Sequence, residues 1–171
     1  MLENTNTMEL RVVGSDMKKI LVSACLLGIN CTYCGKNSLS LNVLQLTKDF
    51  FLIPICPEQL GGLPTPRPRA EIVSSKGWHE GARVIDEYGK DVTGYFIKGA
   101  RESLKIAKLM GAQIAILKSK SPSCGTHYVY DGTFKSVLVP GTGCTAWYLR
   151  THGVEVFSEE ELDFLTYSQI L

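Results

Sequence analysis

Apolar positions along the chain alternate between two periods. "KILVSA" (19–24) is a short unbroken apolar run of strand length. After a Gly-Lys-Asn loop, "SLSLNVLQLTKDF" sets Leu41, Leu44 and Phe50 at helical spacing. "FFLIPI" predicts a second buried strand. Its Pro54 argues against a central place, because proline cannot donate to a sheet ladder. "AEIVSS" and "ARVIDE", separated by "KGWHEG", predict a hairpin. "VTGYFIKGARESLKIAKLMGA" places Val92, Phe96, Ala100, Leu104, Ala107 and Met110 on one face of a long helix.

Further along, "AQIAIL" is a strand, and "GTFKSVLV" a short extended piece after the Asp131-Gly132 turn. "GTGCTAWYLRTHG" predicts a helix with glycine at both ends, and "VEVFS" a last strand. "SEEELDFLTYSQIL" closes the chain as a helix, with Ser158 and Glu161 as a capping box. "GGLPTPRPRAE" holds too much proline and glycine for an element and predicts an ordered loop or a lid.

Strands alternating with helices define an α/β fold, expected as a three-layer Rossmann-like domain with a mainly parallel sheet. Such sheets bind ligands beyond the carboxyl ends of their strands, near a switch in strand order. Residues 1–17 are polar and expected to form a flexible extension, leaving residues 18–171 as a single domain.

Composition narrows the class. The 171 residues are 44% hydrophobic and 20% charged, with a net charge of +1, so nothing draws the whole molecule to nucleic acid or an anionic membrane. No apolar run reaches the roughly 18 residues of a membrane span. Six cysteines occur without the apolar core of a secretory signal. That combination predicts a cytoplasmic protein with free thiols.

Three of these thiols fall at strand ends: Cys25 in "LVSACLLG", Cys56 in "LIPICPE" and Cys124 after "AILK". Separate parallel strands would deliver them to one edge. Gathered thiolates repel unless neutralised, and a soft metal does this most readily. Zinc takes four ligands, or three and a water. A cubane iron–sulfur cluster usually takes four cysteines, so three would leave one iron open. Spacing alone does not choose between these metals.

Other chemistry clusters nearby in sequence. Glu58 follows Cys56 by one proline and is a candidate general acid or base. Ser121 and Ser123 precede Cys124, while Arg67, Arg69 and Lys118 are candidate anion contacts. Cys31 and Cys34 form a C-x-x-C pair with no second pair to complete a zinc ribbon. Cys144 at a helix start fits packing, and His79, His127 and His152 follow no metal-ligand spacing.

The ordered motifs "SACLLG", "CPEQLGGLPTPR", "SPSCG", "DGTF" and "GVEVFSEEEL" together resemble the thiouracil desulfurase (desulfidase) family, once a domain of unknown function. The resemblance covers nearly the whole chain from Lys18. It implies a [4Fe-4S] cluster held by Cys25, Cys56 and Cys124, with the fourth iron free to take the sulfur of a thiolated pyrimidine. Sulfide leaves and water supplies the oxygen, with no net redox change. Glu58 and Ser121 would be the acid–base residues, and Ser123, Arg67, Lys118 and Gly61 would lie at the substrate.

The expected partner is a small thiolated pyrimidine, as base, nucleotide or nucleoside; the charge gives no support for tRNA. Relatives usually carry Tyr-Asp-Gly where this chain has "YCG", which puts Cys34 in the place of an aspartate. Two rival readings use the same thiols: a metal- or cluster-binding module without catalysis, and a zinc-dependent hydrolase.

Overall fold

The computed structural model describes residues 17–162. The expected N-terminal extension and most of the closing helix lie outside them. Four parallel strands form the central sheet: β1 (Lys19–Ser23), β2 (Phe51–Ile55), β5 (Ile114–Leu117) and β8 (Glu155–Ser158), in the order β2-β1-β5-β8. Pro54 therefore sits on an edge strand, where its missing N–H costs no internal ladder bond. Strand order reverses direction at β1, so the crevice beyond the carboxyl ends of β1 and β5 is the place where such sheets take ligands.

Period-two alternation on these strands builds two cores. Leu21, Ile53, Ile55, Ala115, Leu117 and Val156 point to one face. There they meet Leu104 and Ala107 of α3 (Thr93–Met110) and Ala146 and Leu149 of α4 (Cys144–Thr151). Ile20, Val22 and Ile116 point to the other face, against Val43 of α1 (Leu41–Gln45), Leu46 and Phe50. Sheet and two helical flanks give the three layers that the alternation predicts. The helix expected over 38–50 is shorter than its pattern: α1 gives way to a 3₁₀ turn at Leu46–Lys48.

The hairpin predicted from "AEIVSS" and "ARVIDE" is present as β3 (Ala70–Val73) and β4 (Arg83–Asp86), antiparallel, over a third core with Trp78, Phe96 and Val129. A second small ladder pairs β6 (Tyr128–Tyr130) with β7 (Leu138–Pro140); only the β7 stretch follows from the sequence pattern. Ser158 and Glu161 form the expected capping box around the turn Glu159–Glu161.

One short helix, α2 (Pro57–Gly61), directly follows β2 and starts from Cys56. It packs on α3 at a distance that only glycine permits. A Cβ on Gly99 would stand 1.9 Å from the carbonyl oxygen of Pro57, and one on Gly61 would stand 2.1 Å from that of Tyr95. This contact fixes the two residues on either side of Pro57, Cys56 and Glu58. No helix among the described residues is long and apolar enough to cross a membrane.

Candidate active site

A cavity of about 340 Å³ opens beyond the carboxyl ends of β1, β2 and β5. Each strand delivers a thiol to it. Cys25 lies in the 3₁₀ turn Ala24–Leu27 directly after β1, Cys56 starts α2 after β2, and Cys124 ends the loop that follows β5. Cys31 is the fourth thiol on the wall and is 2% exposed. All six cysteines are free.

The sequence pairs Cys31 with Cys34, but the structure separates them. Thr32 closes the short loop by exchanging hydrogen bonds with Lys36, and this leaves Cys34 exposed. The Thr32 hydroxyl, 3.5 Å from the Cys34 sulfur, lowers that thiol's pKa.

The buried thiols behave oppositely. Interaction with the Cys25 thiol raises the pKa of Cys31, with burial adding to it. Cys56 is raised by Cys31 and then by burial, and it approaches the Cys31 carbonyl at 3.6 Å. Burial pushes Cys124 up to about 12. Apart from a bound cation, then, these sulfurs prefer to keep their protons. A wall of buried thiols is the donor chemistry of a soft-metal site.

Among the described residues, no three of His, Cys, Asp and Glu gather closely enough for a single metal ion. A zinc ion with bonds of about 2.3 Å draws its sulfurs close together, whereas a cubane binds each sulfur to a separate iron. Buried thiols held on separate elements are the donor chemistry that a cubane, with one sulfur on each iron, calls for.

Glu58, on the first turn of α2, lines the same cavity. Its Oε2 accepts from Nε of Arg67 at 2.6 Å. Arg67 is 8% exposed. It also donates from Nη2 to the Cys31 carbonyl (3.0 Å) and from Nη1 to the Pro64 carbonyl and the Thr65 hydroxyl. One guanidinium thus ties the carboxylate, the Cys31 loop and the proline-rich segment together. The "PTPRPR" stretch is an ordered wall that brings Arg67 and Arg69 to the cavity. Glu58 and Arg67 also border a second cavity of about 340 Å³, whose lining includes Tyr88 and Tyr95.

Ser121 lines the first cavity, and its hydroxyl oxygen accepts the backbone N–H groups of Ser123 and Cys124, each at 3.1 Å. Both of the oxygen's acceptor directions are thereby occupied, leaving the Ser121 proton available to donate. Gly125 closes the same turn, where a Cβ would lie 2.8 Å from the carbonyls of Ser121 and Tyr128. Lys118 lines the cavity with its ammonium paired to Glu159, a carboxylate that also accepts from Ser119 N–H at 2.7 Å. Glu159 lies about forty residues downstream, and no local pattern announces the contact.

Two sequence candidates lie off the cavity. The Ser123 hydroxyl is buried against Thr145 (3.1 Å), and Gly61 belongs to the α2–α3 contact. Cys144 is not a lining residue: it is buried in the third core, with its backbone N–H donating to the carbonyl of Pro122 beside the cavity. Sequence reading passed over Tyr33 and Tyr130, which put two aromatic rings on the cavity wall.

Comparison with known proteins gives three matches. The sequence model of one family, described as 2-thiouracil desulfurase, matches residues 20–161. The Bacillus subtilis (strain 168) uncharacterized protein YbbK is 41% identical over 147 residues, spanning 84% of this chain and 97% of its own length. The solved structure of the [4Fe-4S]-dependent thiouracil desulfidase TudS superposes with a TM-score of 0.78 at 41% identity, covering 90% of this chain and 98% of the other.

Proposed function

Because the chain belongs to the 2-thiouracil desulfurase family, we propose that it removes sulfur from a thiolated pyrimidine by hydrolysis, using a [4Fe-4S] cluster held by cavity thiols. One observation carries this reading. Three thiols from three strand ends, with Cys31 from the loop beyond the first, share a wall with a carboxylate and a free hydroxyl proton in a cavity of about 340 Å³.

Cys25, Cys56 and Cys124 are the proposed ligands, and Cys31 lies beside Cys25 as the competitor for its place. Iron content of Cys25→Ser against Cys31→Ser assigns that position. A cluster held by these thiols would supply Lewis-acid activation of the C=S group, making the ring carbon electrophilic.

Everything else falls to the chain. Arg67 fixes Glu58 through Oε2, and Oε1 carries no hydrogen bond among the described residues, so it is free to take a proton from water. Water oxygen then bonds to the ring carbon, the C–S bond breaks, and sulfur leaves as sulfide with both electrons. Ser121 donates its hydroxyl proton towards the departing sulfur and recovers one from solvent. The sum is C=S plus water giving C=O plus hydrogen sulfide, with no oxidant or reductant consumed.

The test is sulfide release under anaerobic conditions by reconstituted protein. Glu58→Gln should keep its iron and visible absorption yet lose about 10²–10⁴-fold in rate. Ser121→Ala should lose less, since water can replace a hydroxyl. Undiminished rate in Glu58→Gln, with cluster intact, would remove Glu58 from the mechanism.

A further inference from the structure

Arg69 lines the same cavity as the thiols but has no part in the chemistry above. Its guanidinium is held in a specific setting. Nη2 donates to Glu71, and the rings of Tyr130 and Phe134 each lie 5.5 Å from its central carbon. Glu71 is 1% exposed, and its second oxygen accepts the backbone N–H groups of Gly132 (3.1 Å) and Phe134 (3.0 Å). The main chain of Arg69 is fixed as well: its N–H donates to the Glu87 carboxylate at 3.0 Å, and its carbonyl accepts from Glu87 N–H at 2.8 Å.

Two consequences follow from this setting. The charge of Arg69 is balanced by a carboxylate that cannot move, so an incoming anion gains less than it would from a bare cation. Its geometry is fixed too, and only Nη2 has a polar partner among the described residues. With 30% of the side chain exposed, Nε and Nη1 keep N–H groups for a ligand. Tyr33 and Tyr130 flank it on the cavity wall and suit a flat neutral ring.

We propose that Arg69 is a specificity-determining residue, donating a hydrogen bond to the ring carbonyl oxygen that the reaction leaves in place on a thiolated pyrimidine. This rests on the desulfurase reading. A pyrimidine with one C=S and one C=O group places its sulfur at the thiol wall and its oxygen on another side of the ring. The Arg69 wall supplies the donor there. A site built to hydrogen-bond such an oxygen discriminates against an analogue that lacks it, because the donor is then left unpaired.

The experiment is calorimetric titration of the reconstituted holoenzyme with uracil, 2-pyrimidinone and 4-pyrimidinone, two analogues that each lack one carbonyl. The parent should bind one of them about 10- to 100-fold more weakly than uracil, as expected for losing a hydrogen bond from a charged donor. Arg69→Lys keeps a positive charge beside Glu71 but loses the planar fork. Its uracil affinity should fall to the level of that analogue, while the ratio to the other analogue stays unchanged. Arg69→Gln, which keeps an amide donor for Glu71, is the second variant, and iron content and thermal unfolding are recorded for both.

Unchanged ratios in both variants, or equal weakening of all three ligands, overturn the proposal. Sulfide release from thiouracil by the same parent preparation separates the two levels. Release without altered discrimination refutes the Arg69 assignment alone, and no release refutes the desulfurase reading and the assignment with it.

Discussion

Replacing Arg67 by methionine should do more damage than a surface ion pair would, and the structure sets the size. Its side chain is 3% exposed and that of its partner Glu58 15%, so solvent screens little of the interaction. The change removes the 2.6 Å contact to Glu58 and the bonds to the Cys31 and Pro64 carbonyls and the Thr65 hydroxyl. Breaking one side of a buried pair costs about 3–5 kcal/mol, because the remaining charge is left in place without compensation. For a chain of this length that corresponds to a fall in Tm of about 6–20 °C.

The assay is thermal unfolding of the cluster-free, reduced protein by circular dichroism, on Arg67→Met, Glu58→Gln and the double variant. A neutral pair of similar volume restores much of such a loss, so the double variant should melt well above Arg67→Met. Equal melting of Arg67→Met and the parent, or a double variant no more stable than Arg67→Met, would refute the claim that Arg67 holds Glu58 and the Cys31 loop in place.

Two further outcomes are expected. Gly99→Ala pushes a methyl into the Pro57 carbonyl and should cost about 3 kcal/mol and weaken iron retention, whereas Gly94→Ala, with open space around it, should leave Tm nearly unchanged or raise it; unfolding and iron assays on the pair check this. Burial holds the Cys144 thiol protonated up to about 12, while the unfolded chain ionises near its ordinary value of 9.0. Its contribution is therefore complete below pH 9 and lost as pH rises towards 12. Between pH 9 and 11 denaturant unfolding of Cys144→Ala should show a pH slope shallower than the parent's by about 1.4 kcal/mol per pH unit.

The central architecture was legible because its signals are local and repeated. Short unbroken apolar runs in "KILVS" and "QIAIL" mark strands buried on both faces, and Pro54 marks β2 as an edge. The strand-end positions of Cys25, Cys56 and Cys124 then place three thiols at one cavity. Shorter elements escaped for equally physical reasons. The five residues of α2 are too few to show helical periodicity, and its character comes from docking Gly61 against Gly99. Cys31 looked like half of a C-x-x-C pair because sequence separation hides the Thr32–Lys36 closure that turns Cys34 outward. The partners of Arg67, Lys118 and Arg69 are set by tertiary contacts, so their charges read as free cations until Glu58, Glu159 and Glu71 are seen beside them.

The most direct measurement is the isotopic and molar balance of one reaction. Reconstituted protein, held anaerobically without reductant, is given thiouracil in ¹⁸O-labelled water, and uracil and sulfide are quantified together. Equal amounts of the two products are expected, with one labelled oxygen at the carbon that lost sulfur. Intact thiouracil in the presence of a full cluster, or sulfide release only when an electron donor is added and consumed, would contradict this.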